Sequence, residues 1–309
     1  MVRSVGVDGL IEATHRIGWG GAILYVLYSL GVFVLLGAAW LAVAVDESAR
    51  HIGLFTWARL VREAVADLLP FSQLGGLVAG VRTLIGWGVP RDRVCASMIA
   101  DITTEMASQL LFTIFGLATM ASLFFGAHAA ALRAAALGGT VGLVLIIFIF
   151  VLGQRPLITL AARLARRVLP AAALAIDAID RELDRTYARR GHVALSFLFN
   201  LAGWIASGAG AWLLLRLIGA PLPLPSVLAI ESLIFTVRSV AFAVPGALGF
   251  QEAAYVFVGP IFGLPPEFAL ALSIAKRARD VAIGLPTLLA WQLIEVRSAL
   301  APVGRDAVL

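Results

Sequence analysis

The sequence predicts an all-α, polytopic integral membrane helix bundle with two re-entrant hairpins, and three observations carry that prediction. Hydrophobic residues make up 61% of the 309-residue chain and charged residues only 14%, with a mean hydropathy of +0.95, a balance foreign to soluble domains. Five stretches, roughly 17–45, 94–124, 132–152, 193–217 and 268–294, are apolar and long enough to cross a bilayer. Two further apolar regions, about 52–89 and 227–264, are each interrupted halfway by proline and glycine. Proline removes a backbone donor and glycine allows a sharp turn, so each region reads as two half-length helices that enter and leave on one side.

Taken in order, residues 1–309 form a single transmembrane domain. Residues 1–18 carry Asp8 and Glu12 and no small-residue cleavage site, so no cleaved signal peptide is expected. The first half, 17–153, holds a span, the hairpin at about 52–89, and two more spans. Its hairpin contains Arg59, Arg62, Glu63, Asp67 and Arg82, and breaks around Pro70, Gly75 and Gly76. An Arg-rich connector at 155–190 reads as a solvated surface helix or helix pair. The second half, 193–298, holds a span, the hairpin at about 227–264 and the last span. This hairpin contains Glu231, Arg238 and Glu252, and breaks around Pro245, Gly246 and Gly249.

Charge sets the orientation. If both hairpins are re-entrant, Arg50, Arg91, Arg93, the arginines of 155–190, Arg297 and Arg305 all fall on one face, which should be cytoplasmic together with the C-terminus. The opposite face receives Arg3, Arg16, Arg133 and Arg216. An internal repeat is also legible. Pro70 and Pro245 are 175 residues apart, as are Pro90 and Pro265, and the same offset sets Asp101 against Lys276 and Glu105 against Asp280. Halves related in this way would lie inverted in the membrane, the plan of secondary transporters with a site near the midplane.

Polar residues form stripes in three of the spans. Ser97, Asp101, Glu105, Ser108 and Gln109 share one helical face; Ser196, Asn200, Gly203 and Ser207 share another; Ser273, Lys276, Asp280, Gly284 and Thr287 a third. Lys276 is the only lysine, and its cluster with Arg277, Arg279 and Asp280 begins about 14 Å into an apolar helix. Each ionisable group at that depth costs at least about 2.5–3.5 kcal/mol unless it meets a partner or a wet cavity. Lys276 and Asp280, four residues apart, can pair within the helix. Gln73 at the first break, and Arg238, Gln251 and Glu252 around the second, join the same interior. The set is either a network of charges that neutralise one another or a substrate path, and the second reading is favoured because buried ion pairs contribute little net stability.

Other chemistry finds no foothold. A single Cys95 excludes a disulfide framework within the chain, and His15, His51, His128 and His192 are scattered, so neither metal nor cofactor is expected. No nucleophile elbow, phosphate loop or zinc-protease motif occurs, and an enzyme is not expected. The net charge of +5 flanks apolar spans, which suits anionic lipid headgroups and not nucleic acid. Most of the seven tryptophans fall near span ends as an interfacial belt, with Trp204, beside Asn200, placed to line a pocket.

The run Val237-Arg238-Ser239-Val240-Ala241-Phe242-Ala243-Val244-Pro245-Gly246-Ala247-Leu248-Gly249-Phe250-Gln251-Glu252-Ala253-Ala254, followed by Lys276-Arg277-Ala278-Arg279-Asp280 and Gly284, resembles the signature of the lysylphosphatidylglycerol synthase transmembrane (flippase-like) superfamily. In the first half, Leu69-Pro70-Phe71-Ser72-Gln73-Leu74-Gly75-Gly76 with Asp101 and Glu105 resembles its hopanoid-biosynthesis-associated subgroup, called HpnL. The resemblance implies an inner-membrane protein of a Gram-negative-type bacterium with a role in lipid translocation. It departs from the bifunctional synthases in that no aminoacyl-transferase domain follows Leu309, so lipid lysylation is not expected. The expected activity is movement of a hopanoid or an associated polar lipid between leaflets. Arg238, Lys276, Arg277 and Arg279 would attract an anionic or hydroxylated headgroup, and Asp101, Glu105, Glu252 and Asp280 would counterbalance them. Two rivals stand beside it: a scaffold recruiting lipid-biosynthesis enzymes through the 155–190 segment, and an intramembrane lipid-modifying enzyme using Glu105 or Glu252 as base.

Overall fold

The apolar stretches fold as helices throughout the computed structural model, which describes residues 7–69, 72–123, 170–240, 244 and 247–300; among these there is no strand. The helices are α1 (Val7–Val43), α2 (Ile52–Leu68), α3 (Ser72–Gly86), α4 (Arg91–Leu123), α5 (Pro170–Ala188), α6 (Arg190–Ile218), α7 (Leu224–Val240), α8 (Phe250–Val258) and α9 (Pro266–Leu300). Three are long and apolar enough to cross a membrane: Arg16–Val43 of α1, together with α4 and α6. The fifth expected span, α9, has the length at 35 residues, but its charge cluster removes it from that class by composition. The expected span at 132–152 lies outside the described residues.

Two sets of contacts define two ends of the bundle. At one end, Glu47 in the turn after α1 accepts from Arg93 at the start of α4 at 2.6 Å, and Asp46 accepts from Arg185 and Arg189 at the α5–α6 junction at 3.1 and 2.8 Å. Arg82 of α3 reaches Glu295 near the end of α9 at 2.6 Å. The described arginines expected on one face thus gather at this basic end. Asp46 sits at a φ of 62°, a left-handed conformation that aspartate adopts more readily than most residues. The Arg189 guanidinium donates to its carboxylate and holds it below the usual carboxylate range. At the other end Ile218 and Ala271 pack with Ile17 and Phe268, joining the end of α6 to the starts of α1 and α9.

The hairpins enter from opposite ends. α2 and α3 pack antiparallel because glycine faces helix: a Cβ on Gly76 would meet the Arg62 carbonyl at 2.5 Å, and one on Gly80 would meet the Trp40 ring, the Arg62 side chain and the Ala58 carbonyl. This corrects one expectation, since Gly75 and Gly76 lie inside α3 and serve helix approach. Pro70, Pro245 and Gly246 lie outside the described residues. In the second hairpin Gly249, at φ 80°, precedes α8, and its N–H donates to Glu252 at 2.7 Å. The connector is more firmly seated than a solvated helix. Leu183 and Thr186 of α5 are buried, and the Tyr187 hydroxyl donates to Thr103 of α4 at 3.1 Å. The 155–169 part of the connector is outside the described residues.

Among the tryptophans, Trp19 is 84% exposed, as an interfacial residue would be, but Trp40 departs from the belt. It is fully buried, edge-on to Phe55, and donates to Ser97 at 3.1 Å. Arg216 is exposed and lies 4.4 Å over the Trp212 ring, as an anchoring residue at a span end would.

Candidate functional site

α2 and α4 build the first half of the site. Asp101 lies ten residues, about 15 Å, inside α4 and is fully buried. A carboxylate there needs charge-assisted donors, and α2 supplies two arginines one helical turn apart. Arg59 donates to Asp101 at 3.2 Å and to Glu105, and pairs with Glu63 at 3.0 Å; Arg62 donates to Asp101 at 3.2 Å and to Glu105 at 2.8 Å. From α6, the Asn200 amide donates to the other Asp101 oxygen at 3.3 Å, and the Ser196 hydroxyl bonds Thr104 at 2.8 Å. Five charges thus close on one another with an amide completing the set.

α7, α8 and α9 repeat the arrangement with the signs reversed. Lys276 also lies ten residues into its helix, and its partner Glu231 is seven residues into α7, as Arg59 is seven residues into α2. The Lys276 ammonium donates to Glu231 and, at 2.9 Å, to the Tyr255 hydroxyl, which in turn donates to Glu231. The Phe235 ring lies 4.9 Å from the ammonium. The Lys276–Asp280 pair that their spacing allows does not form. Side chains on a helix lean toward its N-terminus, so Lys276 points away from Asp280 and across to α7, and Asp280 is left to Arg279 at 2.9 Å.

Between these two networks lies a partly enclosed cavity of about 530 Å³. Its walls come from α1, α2, α3, α4, α6, α7 and α9. Of the residues singled out from sequence, Gln73, Glu105, Arg238, Lys276 and Arg279 line it, Asp101 stands directly behind Arg59, and Asn200 holds Asp101 from behind. Trp204 lines it as expected, packed against Phe235 with ring centroids 4.8 Å apart. Gln251, Glu252 and Arg277 do not. They form a separate set between α8 and α9, where Arg277 donates to Glu252 at 3.1 Å and Gln251 to Ser273 at 2.9 Å. Asp280 also stays off the cavity wall.

Several wall residues escaped the sequence reading. Arg59, Arg62, Glu63 and Asp67 were legible only as charges inside the first hairpin, and Glu231, behind the wall, only as a charge inside the second; for the α2 residues a pattern was there to see. Their spacing at i, i+3, i+4 and i+8 on α2 is the signal that one helical face was being charged. Tyr255 carried no signal, because its role comes from the α7–α8 packing. Among the described residues no three His, Cys, Asp or Glu side chains converge as a metal-holding set.

Comparison with curated proteins and with solved structures gave no match. Residues 1–286 match the family described as the lysylphosphatidylglycerol synthase TM region. That family ties the chain to membrane lipid metabolism or transport, and a helix bundle with a charged interior chamber is in keeping with it. By a match that spans all but its last residues, the chain belongs to the lysylphosphatidylglycerol synthase transmembrane family.

Proposed function

We propose that this protein moves a polar-headed lipid between the leaflets of a bacterial inner membrane, and that it does so as a transporter and not as an enzyme. The observation that carries the reading is the cavity of about 530 Å³ between two broken hairpins that enter from opposite ends. A charged, partly enclosed chamber at mid-depth offers a headgroup what the hydrocarbon core denies it, and the exposed apolar surface of α1, α6 and α9 leaves the acyl chains in lipid. Inverted repeats with broken helices alternate access around such a site by rocking one half against the other. The sign-reversed networks at matched depths support the same inverted relationship here.

The basic end faces the cytoplasm in this reading, with Arg50, Arg91 and Arg297 against anionic lipid headgroups. The resemblance of the Pro70 and Asp101 region to the hopanoid-associated subgroup makes a hopanoid or an accompanying polar lipid the first substrate to try. The test is leaflet-resolved exchange of labelled lipid in vesicles holding the purified protein, with and without a pH gradient. Arg238→Gln and Lys276→Ala, on the wall, should lose exchange while remaining folded; Glu252→Ala, away from it, should retain most of it. Wild-type exchange in both wall variants would remove the chamber from the mechanism.

A further inference from the structure

We infer that the headgroup taken by this cavity is uncharged and polyhydroxylated, a sugar or an open polyol, and not an anionic phosphate. The inference rests on the chamber being a lipid-headgroup site. It begins with the charges. The wall and the layer behind it carry five cations, Arg59, Arg62, Arg238, Lys276 and Arg279, and six carboxylates, Glu63, Asp67, Asp101, Glu105, Glu231 and Asp280. Each cation already holds a carboxylate: Arg59 and Arg62 share Asp101 and Glu105, Arg238 holds Asp67 at 2.7 Å, Lys276 holds Glu231, and Arg279 holds Asp280 at 2.9 Å. An entering phosphate would have to take a cation from its partner and strand a buried carboxylate, in a wall where carboxylates are already in excess by one. An ammonium meets the converse obstacle, because guanidinium groups occupy the same carboxylates at hydrogen-bond distance.

A hydroxyl meets neither. It donates one hydrogen bond and accepts two, so it can bind beside a closed ion pair without opening it. The wall offers both kinds of partner. Glu63, Asp67 and Glu105 are 28%, 16% and 13% exposed, which leaves acceptor lone pairs facing the chamber. On the donor side, the Gln73 amide and the Ser207 hydroxyl line the chamber, and a ligand oxygen can accept from either without disturbing an ion pair. The adjoining Trp204 and Phe235 rings add an apolar aromatic face, the surface on which the C–H side of a sugar or polyol can rest.

Native mass spectrometry of the detergent-solubilised full chain tests this with three lipids of identical acyl tails: glucosyl diacylglycerol, phosphatidylglycerol and phosphatidylethanolamine. Glucosyl diacylglycerol should bind about tenfold more tightly than either other lipid, the equivalent of one well-placed hydrogen bond or slightly more. Gln73→Leu removes a donor from the chamber wall, and should weaken the glucosyl lipid about fivefold while leaving phosphatidylglycerol unchanged. Glu63→Gln, which removes one wall charge, should strengthen phosphatidylglycerol. Equal or tighter binding of either charged lipid to the wild-type chain overturns the inference, as does a folded Gln73→Leu that binds the glucosyl lipid normally. If Gln73→Leu does not fold, Glu63→Gln decides, and unchanged phosphatidylglycerol binding counts against the inference. Leaflet exchange of the same three lipids separates the two claims. Selective glucosyl binding without exchange leaves the headgroup and removes transport, whereas faster exchange of phosphatidylglycerol leaves transport and removes the headgroup.

Discussion

Arg238 donates to Asp67 at 2.7 Å across a sequence separation of 171, and this bond joins the inner tip of one hairpin to the inner tip of the other. Both residues line the cavity and both are less than a fifth exposed. Each hairpin enters from its own end of the bundle, so the bond ties one half of the structure to the other. A coupling energy of about 0.5–3 kcal/mol is expected from a double-mutant cycle with Asp67→Asn and Arg238→Gln, read from thermal unfolding in detergent. Strict additivity would show that the two residues are neighbours without being partners. Exchanging the two residues, in Asp67→Arg with Arg238→Asp, should recover more of the lost stability than either single substitution retains.

The α2–α4 network should be the more sensitive of the two halves to losing one member. Asp101 is shared by Arg59, Arg62 and Asn200, and Asp101→Ala leaves two buried guanidiniums short of a partner. A loss of about 3–5 kcal/mol is expected, visible as poor accumulation in the membrane or a sharply lowered melting temperature. Replacing Arg59 and Asp101 together with Met and Leu should cost less than Asp101→Ala alone, since apolar packing substitutes for a buried pair better than half of one does.

Helix approach at the first hairpin gives a steric prediction. Gly76→Ala places a methyl 2.5 Å from the Arg62 carbonyl, a backbone atom that moves only with α2, and should cost about 1–3 kcal/mol by overpacking. At Gly75 the nearest atom is a Val65 methyl at 3.3 Å, and at Gly86 nothing lies within 4 Å. Gly86→Ala should therefore be close to neutral, and a chemical-denaturation series over the three positions ranks them. Equal effects at Gly76 and Gly86 would contradict the close α2–α3 contact.

The turn after α1 has a pH signature. Asp46 titrates below its ordinary value of 3.8, first because Arg189 donates to it and then through the charges of Arg189, Arg185 and Arg93. Because the folded value is depressed, the bond contributes stability above the unfolded pKa and that contribution disappears as pH falls through the folded value. The difference in melting temperature between the wild-type chain and Asp46→Asn should be constant from pH 7 to about 5 and shrink below about 4. A difference that persists unchanged at pH 3 would place the effect elsewhere than in this carboxylate.

Length, hydropathy, the Pro and Gly breaks and the charge asymmetry were enough to read the all-α bundle, the half-length helices and the gathering of the described arginines at one end. They read those features because each is local: a span needs only its own twenty or so residues, and a break only its own proline. The partners of the buried charges were not legible in the same way. Lys276 had a neighbour at i+4, and only the lean of its side chain and the placement of α7 turned it to Glu231. Arg59 and Arg62 read as obstacles to burying the hairpin until α4 supplied the carboxylates they meet. Gly75 and Gly76 read as turn residues because glycine serves both turns and close helix contact, and the sequence holds no mark to separate the two. Gln251, Glu252 and Arg277 lay in the right segment but on the face of α8 and α9 turned away from the chamber, a rotation that a motif does not encode.

The closure of every wall cation on a carboxylate has an electrical consequence. Moving one elementary charge through a 100 mV membrane potential is worth about 2.3 kcal/mol, so a rocking element with a bare charge is pushed by voltage in one direction and held back in the other. Pairs held within one half, Lys276 with Glu231 and Arg59 with Asp101, travel together and move little net charge. Arg238 and Asp67 belong to different hairpins, so a motion that parts the two displaces opposite charges with opposite elements, and even an uncharged headgroup crosses in a cycle that the membrane potential can bias.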